Sequence, residues 1–171
     1  MKIAIISDSH DNITNLEKFI DWANKNEIQA IIHCGDLCAS GTLKNVLAPK
    51  FPGEINLIHG NVSDRELLPE VAKSFSNVKF FGDFGEIEID GKKLAFVHRP
   101  EEAKKLASQS NYDFIFYGHT HQPWEEILRL AQGGTCRLVN PGTLAGMFNK
   151  ATFAVYDTET DKLELKILDF I

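Results

Sequence analysis

The chain is poor in cysteine, tryptophan and methionine, with 3, 2 and 2 of them in 171 residues. Cys34, Cys38 and Cys136 are odd in number and too few for a disulfide framework, and the step from Cys34 to Cys38 is not a zinc-knuckle spacing. Reduced thiols in a cytoplasmic protein are the expectation, with Cys34 plain core inside an apolar run. No apolar stretch approaches the length of a membrane span. Met1-Lys2 leads straight into a short apolar run ending at Ser7-Asp8, which does not read as a signal peptide. Low-complexity segments, internal repeats and linkers rich in Pro, Gly or Ser are missing too. Nor is there an excess of positive charge: 18 Lys and Arg stand against 24 Asp and Glu, a formal net charge of −6. That excludes a broad electrostatic grip on nucleic acid. It leaves an anionic substrate open, because bound divalent ions would reverse the local sign. What is present, 43% hydrophobic and 25% charged residues, is the balance of an ordinary globular protein, and the length fits one domain over residues 1–171.

Hydrophobic periodicity divides the chain into two styles. Its first part alternates strand and helix. Lys2–Ser7, Ala30–Cys34 and Ile55–His59 are short apolar runs of buried-strand type. Between them, Thr14 and Glu17 have the form of a capping box, followed by Leu16, Phe19, Ile20 and Ala23 at helical spacing. A short helix is expected over Gly41–Leu47, stopped before Pro49. Another, marked by Leu67, Leu68, Val71, Ala72 and Phe75, starts near Asp64 as its cap. Antiparallel pairs follow. Gly85–Ile89 and Lys93–Val97 flank Asp90-Gly91, a type I′ hairpin signal. A helix is expected from about Glu101 to Gln109 and a buried strand at Phe114–Tyr117. Glu125–Leu130 and Thr135–Val139 flank Gln132-Gly133-Gly134, and Phe153–Tyr156 and Leu163–Leu168 surround a turn at Asp157–Asp161. Strand–helix repeats followed by hairpins predict an α/β fold of two sheets, the first largely parallel and covered by helices.

In such sheets ligands collect beyond the carboxyl ends of the strands. Here those ends carry Asp8-Ser9-His10, Gly35-Asp36, Gly60-Asn61, His98 and Gly118-His119-Thr120-His121. Each has an ordinary explanation when taken singly. Asp8-Ser9-His10 could cap a helix. Gly35-Asp36 is a common turn, and Asn61 could be a left-handed turn residue. A lone His98 is more often a satisfied polar residue. His119 and His121 are harder to dismiss, because two histidines flanking one small residue after a glycine make a tight chelating loop. As an ordered set, Asp8, His10, Asp36, Asn61, His98, His119 and His121 supply only nitrogen and oxygen donors at successive strand ends, the pattern of one metal site. Such donors suit Mn²⁺, Fe, Zn²⁺, Ni²⁺ or Co²⁺, with manganese weakly preferred.

The order Asp-x-His, Gly-Asp, Gly-Asn, His, Gly-His-x-His resembles the calcineurin-like metallophosphoesterase superfamily. The length and the late Asn140-Pro141-Gly142-Thr143 resemble its small phosphodiesterase branch in bacteria and archaea. The similarity runs from Met1 to about Gly142. It implies a four-layer α-β-β-α sandwich of two mixed sheets and a pair of divalent metals. By resemblance, the first metal takes Asp8, His10, Asp36 and His121, and the second takes Asp36, Asn61, His98 and His119, with Asp36 as the bridge. Two metals about 3.5–4 Å apart can hold one hydroxide and clamp a phosphoryl oxygen. The implied reaction is hydrolysis of a phosphodiester by in-line attack of that hydroxide, without a covalent protein intermediate.

The chain departs from the family pattern twice. Many relatives place a general-acid histidine directly after Gly-Asn. Here Val62 stands there, followed by Ser63 and Asp64, and the loop is one residue longer than the Gly-Asn-Cys-Asp of the small branch. His59, Asp64 or a metal-bound water could supply the proton instead; equally, His59 could simply end a strand. A preference for diesters with acidic leaving groups, such as aryl esters, follows. The second departure is His98-Arg99-Pro100, where relatives commonly have glycine after the histidine. Arg99 could reach non-bridging phosphate oxygens, or could face solvent before a helix with Pro100 in its first turn. Arg65 is a lesser candidate for the same role. Asn140-Pro141-Gly142-Thr143 offers no metal-binding charge and reads as a turn near the pocket rim, with Gly142 supplying unusual dihedrals.

Two other functions compete. A phosphomonoesterase or nucleotidase could use the same residues. The small subunit of the retromer complex resembles this fold, has lost site histidines and works by protein contact; the present chain keeps every matched donor. The motifs specify a phosphate and two metals and leave the attached groups open. A small-molecule phosphodiester as partner, an open shallow site and a possible homodimer complete the expectations.

Overall fold

The computed structural model describes residues 1–109, 111–130 and 133–171. Strand β1, Lys2–Ile6, is buried on both faces after Lys2, and so is β2, Ala30–His33. Such continuous apolar runs belong in the middle of a parallel sheet covered on both sides. They pair in parallel, Ile3 opposite Ala30 and Ile5 opposite Ile32. Strand β3, Glu54–Leu57, extends the sheet beyond β2.

Helices connect these strands. Helix α1, Ile13–Lys25, buries Leu16, Phe19, Ile20 and Ala23. Its cap is Asn12, whose side chain accepts the Asn15 N–H at 3.2 Å. The expected box at Thr14 and Glu17 is therefore corrected. The helix already begins at Ile13, so Thr14 sits inside the first turn, and Glu17 pairs instead with Lys50. The segment 40–50 also runs past its predicted stop at Pro49. A short α2, Ser40–Thr42, opens into a π-turn over Leu43–Leu47 and continues as α3, Ala48–Lys50. The Ala48 N–H reaches back to Leu43 O, five residues away. This wider turn relieves the clash between a proline ring and the carbonyl four residues earlier. Helix α4, Leu67–Ala72, starts as expected near Asp64, whose Oδ1 accepts the N–H groups of Glu66 and Leu67 at 3.2 and 3.0 Å.

A short strand β4, Val78–Phe80, pairs in parallel with β3. Three residues, Val-Lys-Phe, are too few to show a period in the sequence. The second sheet begins with β5, Phe84–Ile89, and β6, Lys92–Val97, joined through Asp90 and Gly91 with φ of 50° and 75°. Both values are positive, as the type I′ hairpin requires. Helix α5, Pro100–Gln109, leads to β7, Phe114–Phe116. Strands β8, Trp124–Arg129, and β9, Thr135–Asn140, form the expected antiparallel pair; Gln132 of their connection lies outside the described residues. Finally β10, Thr152–Asp157, and β11, Lys162–Ile167, return to the first sheet. The sheet orders are β11-β10-β1-β2-β3-β4 and β5-β6-β7-β9-β8, each mixing parallel and antiparallel pairs.

Period-two alternation divides the core into three apolar layers. Ala4, Ile6, Ile31, Ile55 and Leu57 face α1 and the 40–50 segment. Ile3, Ile5, Ala30, Ile32, Cys34, Leu94, Phe96, Phe114, Phe116 and Val139 fill the space between the sheets. Ala95, Val97, Ile115 and Leu138 face Ala103 and Ala107 of α5. The result is a four-layer α-β-β-α sandwich. Strands β1, β2, β3, β6 and β7 all point their carboxyl ends to one rim.

Candidate metal centre

At that rim the chain leaves each strand through a tight reversal. Asp8, His10, Asp36, His119 and His121 have φ of 52°, 41°, 58°, 72° and 60°, the left-handed region. Aspartate visits it more easily than most side chains, but each such residue still costs of order 1–3 kcal/mol unless its surroundings hold it. The surroundings are specific. The N–H of Asp8 donates to Gly35 O and that of His10 to Asp36 O, both at 3.0 Å, so the first two loops are strapped together.

Two carboxylates sit at the centre. Asp8 is fully buried; its Oδ2 accepts the backbone N–H of His119 at 3.0 Å. Its Oδ1 is buried without a hydrogen-bond partner. Asp36 Oδ1 accepts the Val62 N–H at 3.0 Å, and its Oδ2 faces His98 Nε2 at 3.3 Å and His10 Nε2 at 3.9 Å. Each carboxylate thus has one oxygen anchored to backbone and one turned toward imidazoles. His121 Nε2 lies 3.2 Å from Asp8 Oδ1 and 3.1 Å from His10 Nε2. On the other side, His98 Nε2 and His119 Nδ1 lie 2.9 and 2.8 Å from the same Asn61 Oδ1. The seven donors expected from the sequence therefore converge, in two groups linked through Asp8 and Asp36.

These residues fit divalent cations. An ionised carboxylate oxygen buried without a donor is costly unless a cation satisfies it. Two imidazole nitrogens at 3.1 Å cannot face each other as bare lone pairs. Asp8, His10 and His121 form one triad with ligating atoms within 4.8 Å of one another, and Asp8, Asp36 and His98 form a second. His98 is also oriented correctly: Nδ1–H donates to Cys34 O at 2.8 Å, so Nε2 is the atom turned to Asp36 and Asn61, the usual outer arrangement for a metal-bound histidine.

Without a cation the same side chains act on one another. Burial alone would raise the Asp36 pKa, but hydrogen bonds from His98 and the Val62 N–H, with the charges of His98 and His10, hold it below the ordinary range. Burial alone would lower that of His98, but Asp36 outweighs it and raises it. Burial, His98 and Arg99 lower that of His119.

Close packing explains two glycines. A Cβ on Gly60 would meet Asp36 Oδ1 at 2.0 Å, and one on Gly118 would meet Ser7 Oγ at 1.9 Å and Asp8 Oδ2 at 2.5 Å. Gly-Asn and Gly-His are needed because neighbouring strand-end loops touch backbone to side chain.

The four further candidates are placed differently from one another. Arg99 is exposed, with Nη1 3.3 Å from His119 Nε2, directly before Pro100 of α5. His59 is largely buried, its ring 4.7 Å edge-on from Phe80. It lines a cleft of about 210 Å³ together with Asn61, Arg65, Asp83, Arg99 and Glu102. Burial and the Arg65 charge lower its pKa, against the pull of Asp83 and Asp64. Asp64 is engaged in capping α4, and Arg65 is held by Asp83 at 2.8 Å. Sequence reasoning missed several supports: the Val62 N–H, the buried His33 with its Nε2 3.0 Å from Ser9 Oγ, and Cys38 Sγ, 3.7 Å from His10 Nδ1. Backbone donors and side chains inside apolar runs carry no motif signal.

Comparison with known proteins agrees with this geometry. Residues 1–161 match the calcineurin-like phosphoesterase superfamily domain. The chain belongs to this superfamily. Phosphodiesterase MJ0936 of Methanocaldococcus jannaschii is 30% identical over 174 residues, covering 99% of this chain and 100% of that protein. A solved structure described as a novel archaeal phosphodiesterase superposes with a TM-score of 0.82 at 28% identity, covering 98% and 99% of the two chains. Vps29 of Entamoeba histolytica in complex with zinc shares the fold, with a TM-score of 0.66 at 18% identity and coverage of 98% and 99%. Membership and the two archaeal phosphodiesterases support a phosphoric ester hydrolase, and the metallophosphoesterase family implies divalent metal ions. Among the described residues, no helix is long and apolar enough to cross a membrane.

Proposed function

We propose that this superfamily member is a metal-dependent phosphodiesterase. Asp8, His10, Asp36 and His121 would hold one divalent ion, and Asp36, Asn61, His98 and His119 a second, with Asp36 shared. The observation that carries the reading is Asp8 Oδ1, buried without a donor and facing His10 and His121 at 3.8 and 3.2 Å. When bound, the two ions supply a water-derived nucleophile near neutral pH and offset negative charge on the phosphoryl oxygens.

The chain's own part is to position and to neutralise. Asp36 is assigned the shared position because its free oxygen faces imidazoles from both halves. Arg99, exposed beside His119, is assigned to the non-bridging oxygens of the phosphate, for which a guanidinium fork is well shaped. No side chain at the centre is equipped to be a nucleophile. The Ser7 and Ser9 hydroxyls are buried beneath the centre, Ser7 against Cys34 O and Ser9 between His33 Nε2 and Asp36 O, and burial with nearby Asp11 and Asp36 pushes the Cys38 thiol up to about 11, so it stays protonated. Direct attack without a phosphoenzyme is the consistent route, and a rapid-quench burst of phosphoenzyme would contradict it.

Proton delivery to the departing oxygen is less well provided. Asp64 is occupied as a cap, and His59, with its lowered pKa, is neutral near pH 7 and so a poor acid. Aryl diesters, whose leaving groups need no proton, should be hydrolysed faster than alkyl diesters. The deciding experiment treats purified protein with a chelator, then restores Mn²⁺ and follows paired aryl and alkyl diesters and aryl monoesters. Diester hydrolysis that is lost and regained with the metal supports the reading. Activity indifferent to chelation, or confined to monoesters, overturns it.

A further inference from the structure

The segment 140–145 contributes no donor to the metal centre, yet it touches both of its halves. Asn140 ends β9 and is buried. Its Nδ2 donates to Gly118 O at 3.0 Å and to Thr120 Oγ1 at 2.9 Å. These two acceptors flank His119 in the chain, and Thr120 in turn precedes His121. Its Oδ1 accepts the Gly142 N–H at 2.8 Å, which folds the chain back through a glycine with φ of 84°. Every hydrogen-bonding atom of this amide is thereby engaged.

Three residues later the same segment reaches the first sheet. The Thr143 hydroxyl donates to Asp8 O at 2.8 Å, and the Ala145 N–H donates to the same carbonyl at 3.1 Å. The Leu144 N–H donates to Ser7 O at 2.9 Å. From below, Asn12 and Asn15 Nδ2 donate to Ala145 O at 2.9 and 3.1 Å. The backbone reversals at Asp8, His119 and His121, all with positive φ, are therefore tied to one short strap.

We propose that Asn140 and Thr143 are positioning residues for the metal pair, Asn140 for His119 and His121 and Thr143 for Asp8. The inference rests on the metal reading of the preceding subsection. Left-handed residues relax toward negative φ when nothing holds them, and that rotation swings the side-chain donor away from its partners. Asp8 and His121 belong to one half, and His119 meets Asn61 beside His98 in the other. One strap thus fixes the distance between the halves, and its loss should weaken ion binding more than folding.

The test uses full-length chain stripped by chelator and titrated with Mn²⁺ in a calorimeter, with thermal unfolding of each metal-free form in parallel. Thr143→Val keeps the shape and deletes the donor; Thr143→Ser keeps the donor. Thr143→Val should lower Mn²⁺ affinity about 10–100-fold, the range for an outer partner of a metal ligand, while metal-free unfolding stays close to wild type. Thr143→Ser should restore the affinity, and Asn140→Ala should weaken binding in the same range. If Asn140→Ala does not fold, the Thr143 pair decides alone. Wild-type affinity in Thr143→Val, failure of Thr143→Ser to rescue, or a loss matched by equal destabilisation of the metal-free chain overturns the inference. A wild-type chain that takes up no ion overturns the metal reading as well, and is distinguished by that control.

Discussion

The backbone N–H of His119 donates to Oδ2 of Asp8 across 3.0 Å, joining the end of β7 in one sheet to the end of β1 in the other. It turns one carboxylate oxygen away from the imidazoles and leaves the other to face them. This approach is possible because Gly118 has no side chain. Gly118→Ala should destabilise the protein by about 1–3 kcal/mol through overpacking. It should also weaken Mn²⁺ uptake. Urea unfolding and metal titration check both, and wild-type values in the two measurements would refute the packing argument.

Asp36→Asn tests the shared position. It keeps the volume but removes the charge between His10 and His98. Diester kcat should fall by more than about 100-fold, beyond the 10–100-fold typical of outer partners. Bound Mn²⁺ per chain, measured by elemental analysis, should fall with it. Full stoichiometry and activity would remove Asp36 from the centre.

For Arg99→Ala the expected change is in KM. A hydrogen bond to a charged group contributes about 1.5–3 kcal/mol, so loss of a phosphate contact raises KM for a diester roughly tenfold or more. An unchanged KM would leave Arg99 a solvent-facing residue ahead of α5.

Asp64→Ala should cost about 0.5–2 kcal/mol of stability, as losing a helix cap does, and leave turnover of aryl and alkyl diesters as in wild type. A selective fall in alkyl-diester turnover would instead make Asp64 the proton donor.

His33 gives a pH dependence that the metal-free chain should show. Burial, opposed by Asp36, lowers its pKa from 6.5 to about 3. Unfolded chain therefore binds a proton that folded chain refuses between those values. The stabilisation is complete above pH 6.5 and is lost as pH falls toward about 3, by up to about 1.4 kcal/mol per pH unit. Denaturant unfolding of chelated protein should show this slope, and His33→Asn should flatten it. Equal slopes would refute the assignment.

Most of the strands and the donor set were legible because both are written in local patterns. Ile3–Ile6 and Ala30–Ile32 are apolar without interruption, as central parallel strands must be, and each is followed by a turn residue that bears a ligand-type side chain. What misled was also local. Pro49 signals a helix stop, yet the π-turn ahead of it absorbs the clash, and Thr14 with Glu17 imitates a cap that Asn12 supplies two residues earlier.

The amino-acid order by itself determined the two-sheet architecture and the seven donors, because periodicity and strand-end chemistry act within a few residues. Only tertiary structure decided which oxygen of Asp8 and of Asp36 faces the imidazoles, and that Asn140 and Thr143 hold loops from different sheets. Those outcomes depend on hydrogen bonds between residues 20 to 135 positions apart, from Asn140 with Thr120 and Asp36 with Val62 to Asp8 with His119 and with Thr143, and no local pattern encodes such a pairing.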